Sequence, residues 1–159
     1  MRKIASFTVD HLRLLTGLYV SRVDDVNGNP VTTFDIRVTR PNAEPPMDTS
    51  GVHAIEHLGA TFLRNEPDWK DRVIYFGPMG CRTGFYLVLA GAFEPEQILD
   101  LIARMFRCVA DWEGDIPGQS PRECGNWLDM NPGLARYYAR KYLAEVVEHP
   151  APERFHYPA

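Results

Sequence analysis

Residues 52–65 constrain this chain more than any other segment, because their spacing predicts a helix with two distinct faces. Prolines precede the segment, and an Asp-Thr-Ser run just before it offers the side-chain oxygens that cap a helix N-terminus. At about 100° per residue, its Val, Ile, Gly, Phe and Leu side chains share one arc. We expect that arc to face the core.

The second face of this helix carries His53, Glu56 and His57. The two histidines stand at i and i+4, about 40° apart around the axis, and Glu56 lies about 60° to the other side of His53. This H-x-x-E-H spacing suits two metal ligands beside an acid/base group. A lone histidine near an apolar face is usually a hydrogen-bonded core residue, but such a pair with Glu between is rarer by chance. The segment therefore predicts a metal site and leaves the third ligand open.

Size and composition favour one globular domain spanning residues 1–159. Charged residues make up 24% and apolar residues 45% of the chain, which is typical of folded rather than disordered proteins. The net charge of −4, with scattered cations, supports neither a nucleic-acid partner nor an anionic membrane surface. There is no apolar stretch of membrane-spanning length and no signal-peptide pattern, so we expect a cytoplasmic protein.

The three cysteines are few and odd in number, which indicates thiols rather than a disulfide framework. Cys81 lies in a Gly/Pro-rich loop beside Arg82, where partial exposure and positive charge favour a reactive thiolate. On this local evidence a reactive and an inert Cys81 are equally well supported. Cys108 lies at the edge of an apolar helical stripe, which indicates packing. Cys124 follows a loop and precedes a glycine, so it fits a turn residue, a partly buried thiol or a soft metal ligand.

Several further segments have strand or helix patterns. Strands are predicted at residues 4–9, 19–26, 31–38, 72–76 and 85–90, with helices at 95–112 and 132–148. The Asn-Gly turn after residue 26 predicts a hairpin, and the tail from residue 150 is predicted to be irregular. Asp35 and Arg37 alternate with apolar residues, which favours a solvated strand face for Arg37. This order of elements predicts one α+β domain with a mostly antiparallel sheet packed with helices.

Six segments together resemble one known family. In chain order they are Ser6-Phe7-Thr8-Val9-Asp10-His11, Phe34-Asp35-Ile36-Arg37, Pro41-Asn42, His53-Ala54-Ile55-Glu56-His57-Leu58, Pro78-Met79-Gly80-Cys81-Arg82-Thr83-Gly84-Phe85-Tyr86 and Glu123-Cys124-Gly125-Asn126. The combination resembles the S-ribosylhomocysteine lyases of the LuxS family, which make the autoinducer-2 precursor. The resemblance extends from Ser6 to the last helix.

The resemblance implies three metal ligands, His53, His57 and Cys124, with a water or substrate oxygen in the fourth position. It implies one divalent metal per subunit. The metal of this family in the cell is thought to be Fe²⁺, which Zn²⁺ or Co²⁺ can replace.

The resemblance also implies that Glu56 and Cys81 are the acid/base pair and that Ser6, His11 and Arg37 hold the substrate. It implies a homodimer whose active sites are completed by both chains. The chemistry is consistent with these parts, because a Lewis-acidic ion can polarise the sugar carbonyl as it migrates. Each migration needs positioned bases, and β-elimination then expels homocysteine and leaves 4,5-dihydroxy-2,3-pentanedione.

Two departures from the family pattern concern residues near these motifs. Ala54 stands where the family more often has Thr, on the helix but away from the ligands. Tyr75-Phe76-Gly77 stands where many members have Asp-Ile-Ser. An acidic group that could help to hold the amino-acid end of the substrate is therefore missing.

Two other classes share part of the pattern. In an inverted zinc peptidase Glu56 would activate water, and a carboxylate from a later helix would usually be the third ligand. In a non-catalytic metal-binding domain, His53, His57, Cys124 and one more ligand would close the site. Neither alternative needs a reactive thiol at Cys81.

Overall fold

Four antiparallel strands form the sheet around which the chain is arranged in the computed structural model, which describes residues 1–158. The strands are β1 (Gly17–Val26), β2 (Asn29–Arg37), β3 (Val73–Pro78) and β4 (Gly84–Ala90), in the order β1-β2-β4-β3. The helices are α1 (Thr49–Asn65), α2 (Pro95–Ala110) and α3 (Pro132–Tyr142), and a π-helical turn, Leu143–Val147, extends α3. The prediction of an α+β domain with an antiparallel sheet is confirmed.

The β1–β2 hairpin has the predicted turn. Asn27 and Gly28 have φ values of 54° and 82°, the left-handed conformation that both central residues of a type I′ turn require. The turn closes the pairing of Val26 with Asn29 and sets the register as far as Arg22, beyond which a bulge shifts the register by one residue. The local sequence therefore determines this pairing.

One face of the sheet packs against the helices and forms the core. Phe34 and Ile36 of β2 and Phe85 and Leu87 of β4 point into it and are fully buried. Full burial of such side chains is worth about 1.5–3 kcal/mol each. Helix α1 packs against β3 and both other helices, so its exposed flank is held in a defined orientation.

The predicted strand at residues 4–9 is wrong. The structure has a short 3₁₀ helix, Ala5–Phe7, which pairs with no strand. Ile4 and Ser6 line a cavity together with Tyr75 and Tyr86, so this segment crosses the outer face of the sheet rather than following an edge. A strand-like pattern becomes a strand only where an edge is available for pairing.

The solvated environment predicted for Arg37 is also wrong. Asp35 and Arg37 are only 1% and 3% exposed, although they lie on the outer face of β2. Strand β2 has neighbours on both sides, and the C-terminal tail folds over this face. The Tyr157 ring stacks on Tyr19 at a centroid distance of 4.8 Å. As predicted, the tail is mostly irregular, with one 3₁₀ turn at Pro152–Arg154.

The remaining predicted elements are confirmed within a few residues. Helix α1 begins after Asp48, whose carboxylate accepts a hydrogen bond from the Ser50 amide at 2.9 Å, as expected of an N-cap. No helix within residues 1–158 is long and apolar enough to span a membrane.

Candidate active site

Three side chains from two distant segments form a candidate metal centre. His53 and His57 project from α1, and Cys124 comes from the long loop between α2 and α3. Their ligand atoms all lie within 4.8 Å of one another. The Cys124 Sγ is 3.4 Å from His53 Nε2. The structure thus brings together the three residues that the sequence resemblance implied.

Backbone carbonyls orient both imidazole rings. His53 Nδ1 lies 2.9 Å from the Asp129 carbonyl oxygen, and His57 Nδ1 lies 2.8 Å from that of Pro117. A carbonyl oxygen only accepts hydrogen bonds, so each Nδ1 must carry the proton. Each Nε2 then keeps its lone pair for a ligand. Metal-binding histidines are usually oriented in this way, by a hydrogen bond from the ring nitrogen that does not bind the metal.

The donor set fits a borderline-soft divalent cation. Two imidazole nitrogens and one thiolate suit Zn²⁺, Fe²⁺ or Co²⁺ better than Mg²⁺ or Ca²⁺, which prefer oxygen ligands. Three protein ligands are also typical of catalytic rather than structural zinc sites. A sulfur third ligand, in place of a carboxylate, speaks against the peptidase alternative.

Glu56 shares the cavity of the candidate metal centre. The cavity has a volume of about 540 Å³ and is lined by all three candidate ligands, Glu56 and Glu123. Glu56 is half-buried, so a substrate in the cavity can reach its carboxylate. Glu123 directly precedes Cys124 in the Glu-Cys-Gly-Asn motif that contributes to the family resemblance.

The loop that supplies the Pro117 carbonyl leads to a prediction about Gly118. Gly118 has a φ of +76°, and a Cβ there would lie 3.0 Å from His57 Nδ1. In Gly118→Ala we expect His57 or the Pro117 carbonyl to shift, so that Zn²⁺ affinity falls by about 10–100-fold. Chelator competition measures this affinity.

Gly114 in the same loop provides the matched control. Its φ is +89°, but no atom lies within 4 Å of a Cβ built there. Gly114→Ala therefore shares the cost of a left-handed alanine without the contact to His57. Equal Zn²⁺ affinities of the two variants would show that Gly118 does not position His57.

Cys81 lies in the turn between β3 and β4 and is exposed. Its Sγ is 3.1 Å from the Thr83 hydroxyl and 3.8 Å from Arg37 Nη1. Burial acts to raise the pKa of the Cys81 thiol, but hydrogen bonds with Thr83 and the positive charge of Arg37 outweigh it, so the pKa lies below its usual value.

The cation beside Cys81 is therefore Arg37, and not its sequence neighbour Arg82 as predicted. Arg82 has a φ of 58°, and its guanidinium donates a hydrogen bond to the Met47 carbonyl instead. Arg37 reaches the thiol from β2, where it pairs with Gly84 across the β2–β4 ladder. Thr83 was not singled out from the sequence.

The residues implied to hold the substrate lie on the outer face of the sheet. Ser6 lines a cavity of about 320 Å³ there, together with Tyr75 and Tyr86. His11 lies near enough to Asp35 for the two side chains to interact electrostatically. The Nδ1 atom of His11 lies 2.9 Å from the Val9 carbonyl oxygen. Within one chain, Ser6 and the candidate metal ligands thus line two different cavities.

A sequence model of the S-ribosylhomocysteinase (LuxS) family matches residues 4–153. The chain belongs to this family. The S-ribosylhomocysteine lyase of Clostridium beijerinckii is 55% identical over 147 residues, 92% of each chain. That of Finegoldia magna is 54% identical over 158 residues, 99% of each chain. That of Desulfotalea psychrophila is 53% identical over 159 residues, 100% of each chain. The resemblance predicted from the motifs is confirmed, and with it the enzyme class.

The structure accommodates the main departure of this chain from the LuxS pattern. Tyr75 and Gly77 lie on the outer face of β3, where they pair with Val88 and Tyr86. The Tyr75 ring lies over Gly77, and a Cβ at Gly77 would collide with the Tyr75 hydroxyl. Phe76 points to the other face and stacks on Phe85 at 5.2 Å. Tyr75, Phe76 and Gly77 therefore pack well in β3, but they supply no carboxylate.

Proposed function

We propose that this protein cleaves S-ribosylhomocysteine to homocysteine and 4,5-dihydroxy-2,3-pentanedione, the autoinducer-2 precursor. The observation that carries the proposal is the meeting of His53, His57 and Cys124 in one cavity with Glu56. The relatives named S-ribosylhomocysteine lyase over nearly the whole chain support it. The reaction is a carbonyl migration followed by β-elimination, and the atoms of the two products sum to those of the substrate.

We further propose that His53, His57 and Cys124 hold one divalent ion per subunit, Fe²⁺ in the cell, with Zn²⁺ or Co²⁺ able to substitute. When bound, such an ion supplies the Lewis acidity that polarises a sugar carbonyl. The Asp129 and Pro117 carbonyls keep both imidazoles in the tautomer that can ligate.

Cys81 and Glu56 divide the proton transfers. Each carbonyl shift removes a proton from one ribose carbon and returns a proton to its neighbour, which requires positioned acids and bases. The lowered pKa of Cys81 supports its role as a thiolate base. Once the carbonyl stands at C3, removal of the C4 proton breaks the C5–S bond, and homocysteine leaves as its thiol after protonation.

Ser6, His11 and Arg37 hold the substrate in a site that both chains of a homodimer complete. The separation of Ser6 from the candidate metal ligands within one chain supports this proposal. The N-terminal segment also exposes large apolar side chains, with Phe7 at 69% and Leu12 at 78%. We infer that both side chains belong to the contact surface between two chains, because contiguous exposed apolar surface marks such areas. The homodimer would bury them.

Complementation tests the shared site. Cys81→Ala and His57→Ala chains should each be inactive. Their heterodimer keeps one intact site, in which one chain supplies His57 and the other supplies Cys81. A random mixture should regain roughly a quarter of the wild-type activity, because half of the dimers are mixed and each has one working site. We replace Cys81 rather than the substrate-binding residue Arg37 in this test, since loss of Arg37 would leave the buried Asp35 charge unpaired. Heterodimers without activity would contradict the shared arrangement.

The reaction itself is tested by anaerobic incubation of the metal-loaded protein with S-ribosylhomocysteine. We expect free thiol to appear over time in step with the pentanedione, and metal-free protein to release none. Metal-replete, folded protein that releases no thiol would overturn the proposed function.

We propose a cytoplasmic location for the protein. Its three free cysteines support this location, because thiols stay reduced in the cytoplasm.

A further inference from the structure

The C-terminal tail contacts the network around Cys81 through Tyr157. This residue lies beyond residues 4–153, the segment that the family model matches. Its ring stacks on Tyr19, and its hydroxyl donates a 2.8 Å hydrogen bond to Asp35 Oδ2. Burial and the negative charge of Asp35 raise the pKa of Tyr157, so the hydroxyl keeps the proton that it donates.

Asp35 is in turn the partner of Arg37. Arg37 Nη2 donates to the same Asp35 Oδ2 at 2.5 Å, while its Nη1 lies 2.6 Å from the Thr83 hydroxyl and 3.8 Å from Cys81 Sγ. The guanidinium is thus shared between a buried carboxylate on one side and the thiol on the other. Its position decides how much positive charge the thiol experiences.

Two buried atoms of this pair lack partners. Within residues 1–158, Asp35 Oδ1 and Arg37 Nε accept or donate no hydrogen bond. Arg and carboxylate groups often pair through two parallel hydrogen bonds, a geometry that would engage both atoms. Such pairing would give both buried atoms a hydrogen bond and so remove the free-energy cost of leaving them unpaired. Two hydrogen bonds act against this geometry: the one from Tyr157 to Asp35 Oδ2 restrains the carboxylate, and the one from Arg37 Nη1 to the Thr83 hydroxyl restrains the guanidinium.

We propose that Tyr157 is a positioning residue that restrains Asp35 and thereby keeps the Arg37 guanidinium within reach of Cys81. Without the hydroxyl, Asp35 is free to turn and pair with Arg37 through both oxygens, which draws the guanidinium toward β2 and away from the thiol. The hydroxyl of Tyr157 interacts with Asp35 and Ser21, and among residues 1–158 it forms no hydrogen bond with the thiol or the candidate metal ligands. Its effect on Cys81 therefore passes through the Asp35–Arg37 pair. The proposal rests on the proposed function insofar as Cys81 works as a base.

Tyr157→Phe tests the proposal, because it removes the hydroxyl and keeps the ring that stacks on Tyr19. The readout is the rate of Cys81 alkylation by iodoacetamide between pH 5 and 10, followed by mass spectrometry of the Cys81 peptide in Zn²⁺-loaded protein. We expect the thiol pKa to rise by about half to one unit, which lowers the alkylation rate about three- to tenfold at pH values below the wild-type pKa.

Tyr137→Phe is the matched control, since Tyr137 is an exposed tyrosine on α3. It should leave the Cys81 pKa at the wild-type value. In Tyr157→Phe, kcat should fall with the thiolate fraction at pH 7 and recover at higher pH. KM should rise as well, because the displaced Arg37 is one of the residues that we propose hold the substrate. Loss of packing alone would lower the unfolding temperature without moving the alkylation profile.

A wild-type alkylation profile in folded Tyr157→Phe, or a lowered thiol pKa, would overturn the proposal. A second variant that ends at His156 removes ring and hydroxyl together and should raise the pKa at least as much. Alkylation does not depend on turnover. A raised pKa in an enzyme whose activity survives Cys81→Ala would therefore support the positioning role and contradict the proposed function of Cys81.

Discussion

Replacing Cys81 with alanine is expected to reduce turnover by at least about 10²–10⁴-fold, the usual contribution of a positioned acid or base. Fold and metal content should survive, because Cys81 is exposed and lies outside the candidate ligand set. The measurement combines homocysteine release, deuterium incorporation at C2 of the substrate and metal analysis of the same sample. Glu56→Gln should behave in the same way.

Cys108→Ala is the control for this prediction. Cys108 is half-buried on α2, and burial raises the pKa of its thiol, so it lacks the features of a base at neutral pH. Its replacement should leave turnover nearly unchanged. Normal C2 exchange by metal-replete Cys81→Ala would remove Cys81 from the mechanism and leave Glu56 to carry the proton transfers.

The lowered pKa of Cys81 also sets the sign of the pH dependence. A thiolate base works only above its pKa, so turnover should fall as the pH drops through that value. Because Thr83 and Arg37 lower the pKa, this acid limb should lie below the pH at which an ordinary thiol ionises. In Cys81→Ala the limb should be absent from any residual activity.

Replacing Cys124 with alanine is expected to lower metal affinity by more than about 100-fold, beyond the effect of losing an orienting partner. One of the three candidate ligands disappears, and two imidazoles alone bind a divalent ion weakly. Metal stoichiometry after dialysis and chelator competition with Zn²⁺ measure the loss. Cys108→Ala again serves as the control for removing a thiol.

Glu123 permits a sharper form of this experiment. It lines the same cavity, and its carboxylate accepts a 2.7 Å hydrogen bond from the Ser120 hydroxyl. Glu123→Gln should keep full metal affinity, since Glu123 is not one of the three clustered ligands. If Cys124→Ala bound metal normally while Glu123→Gln did not, the third ligand would be a carboxylate and the peptidase alternative would return.

Features with purely local geometry could be predicted from the sequence. His53 and His57 share one flank because positions i and i+4 of a helix do so wherever that helix packs. Asn27 and Gly28 closed the β1–β2 hairpin because both residues tolerate positive φ. The family followed from motifs spread over most of the chain, and the family model confirmed it over residues 4–153.

Sequence patterns predicted less well those features that depend on another segment of the chain packing nearby. Residues 4–9 have the composition of a strand, but no sheet edge pairs with them. The alternation around Arg37 shows that it lies opposite the core face, but not that the tail covers it. Arg82 follows Cys81 in sequence, but its backbone has a positive φ and its guanidinium donates a hydrogen bond to the Met47 carbonyl rather than to the thiol.

Contacts between residues that are distant in the sequence could not be predicted without the folded structure. Cys124 reaches His53 across 71 positions, Arg37 reaches Cys81 across 44, and Tyr157 reaches Asp35 across 122. Local patterns restrict the backbone of a few consecutive residues, whereas these contacts depend on how the sheet, α1 and the tail pack together. The charge beside the thiol therefore depends on the packing of β2 against β4, because Arg37 lies on β2 and Cys81 lies in the turn that leads into β4.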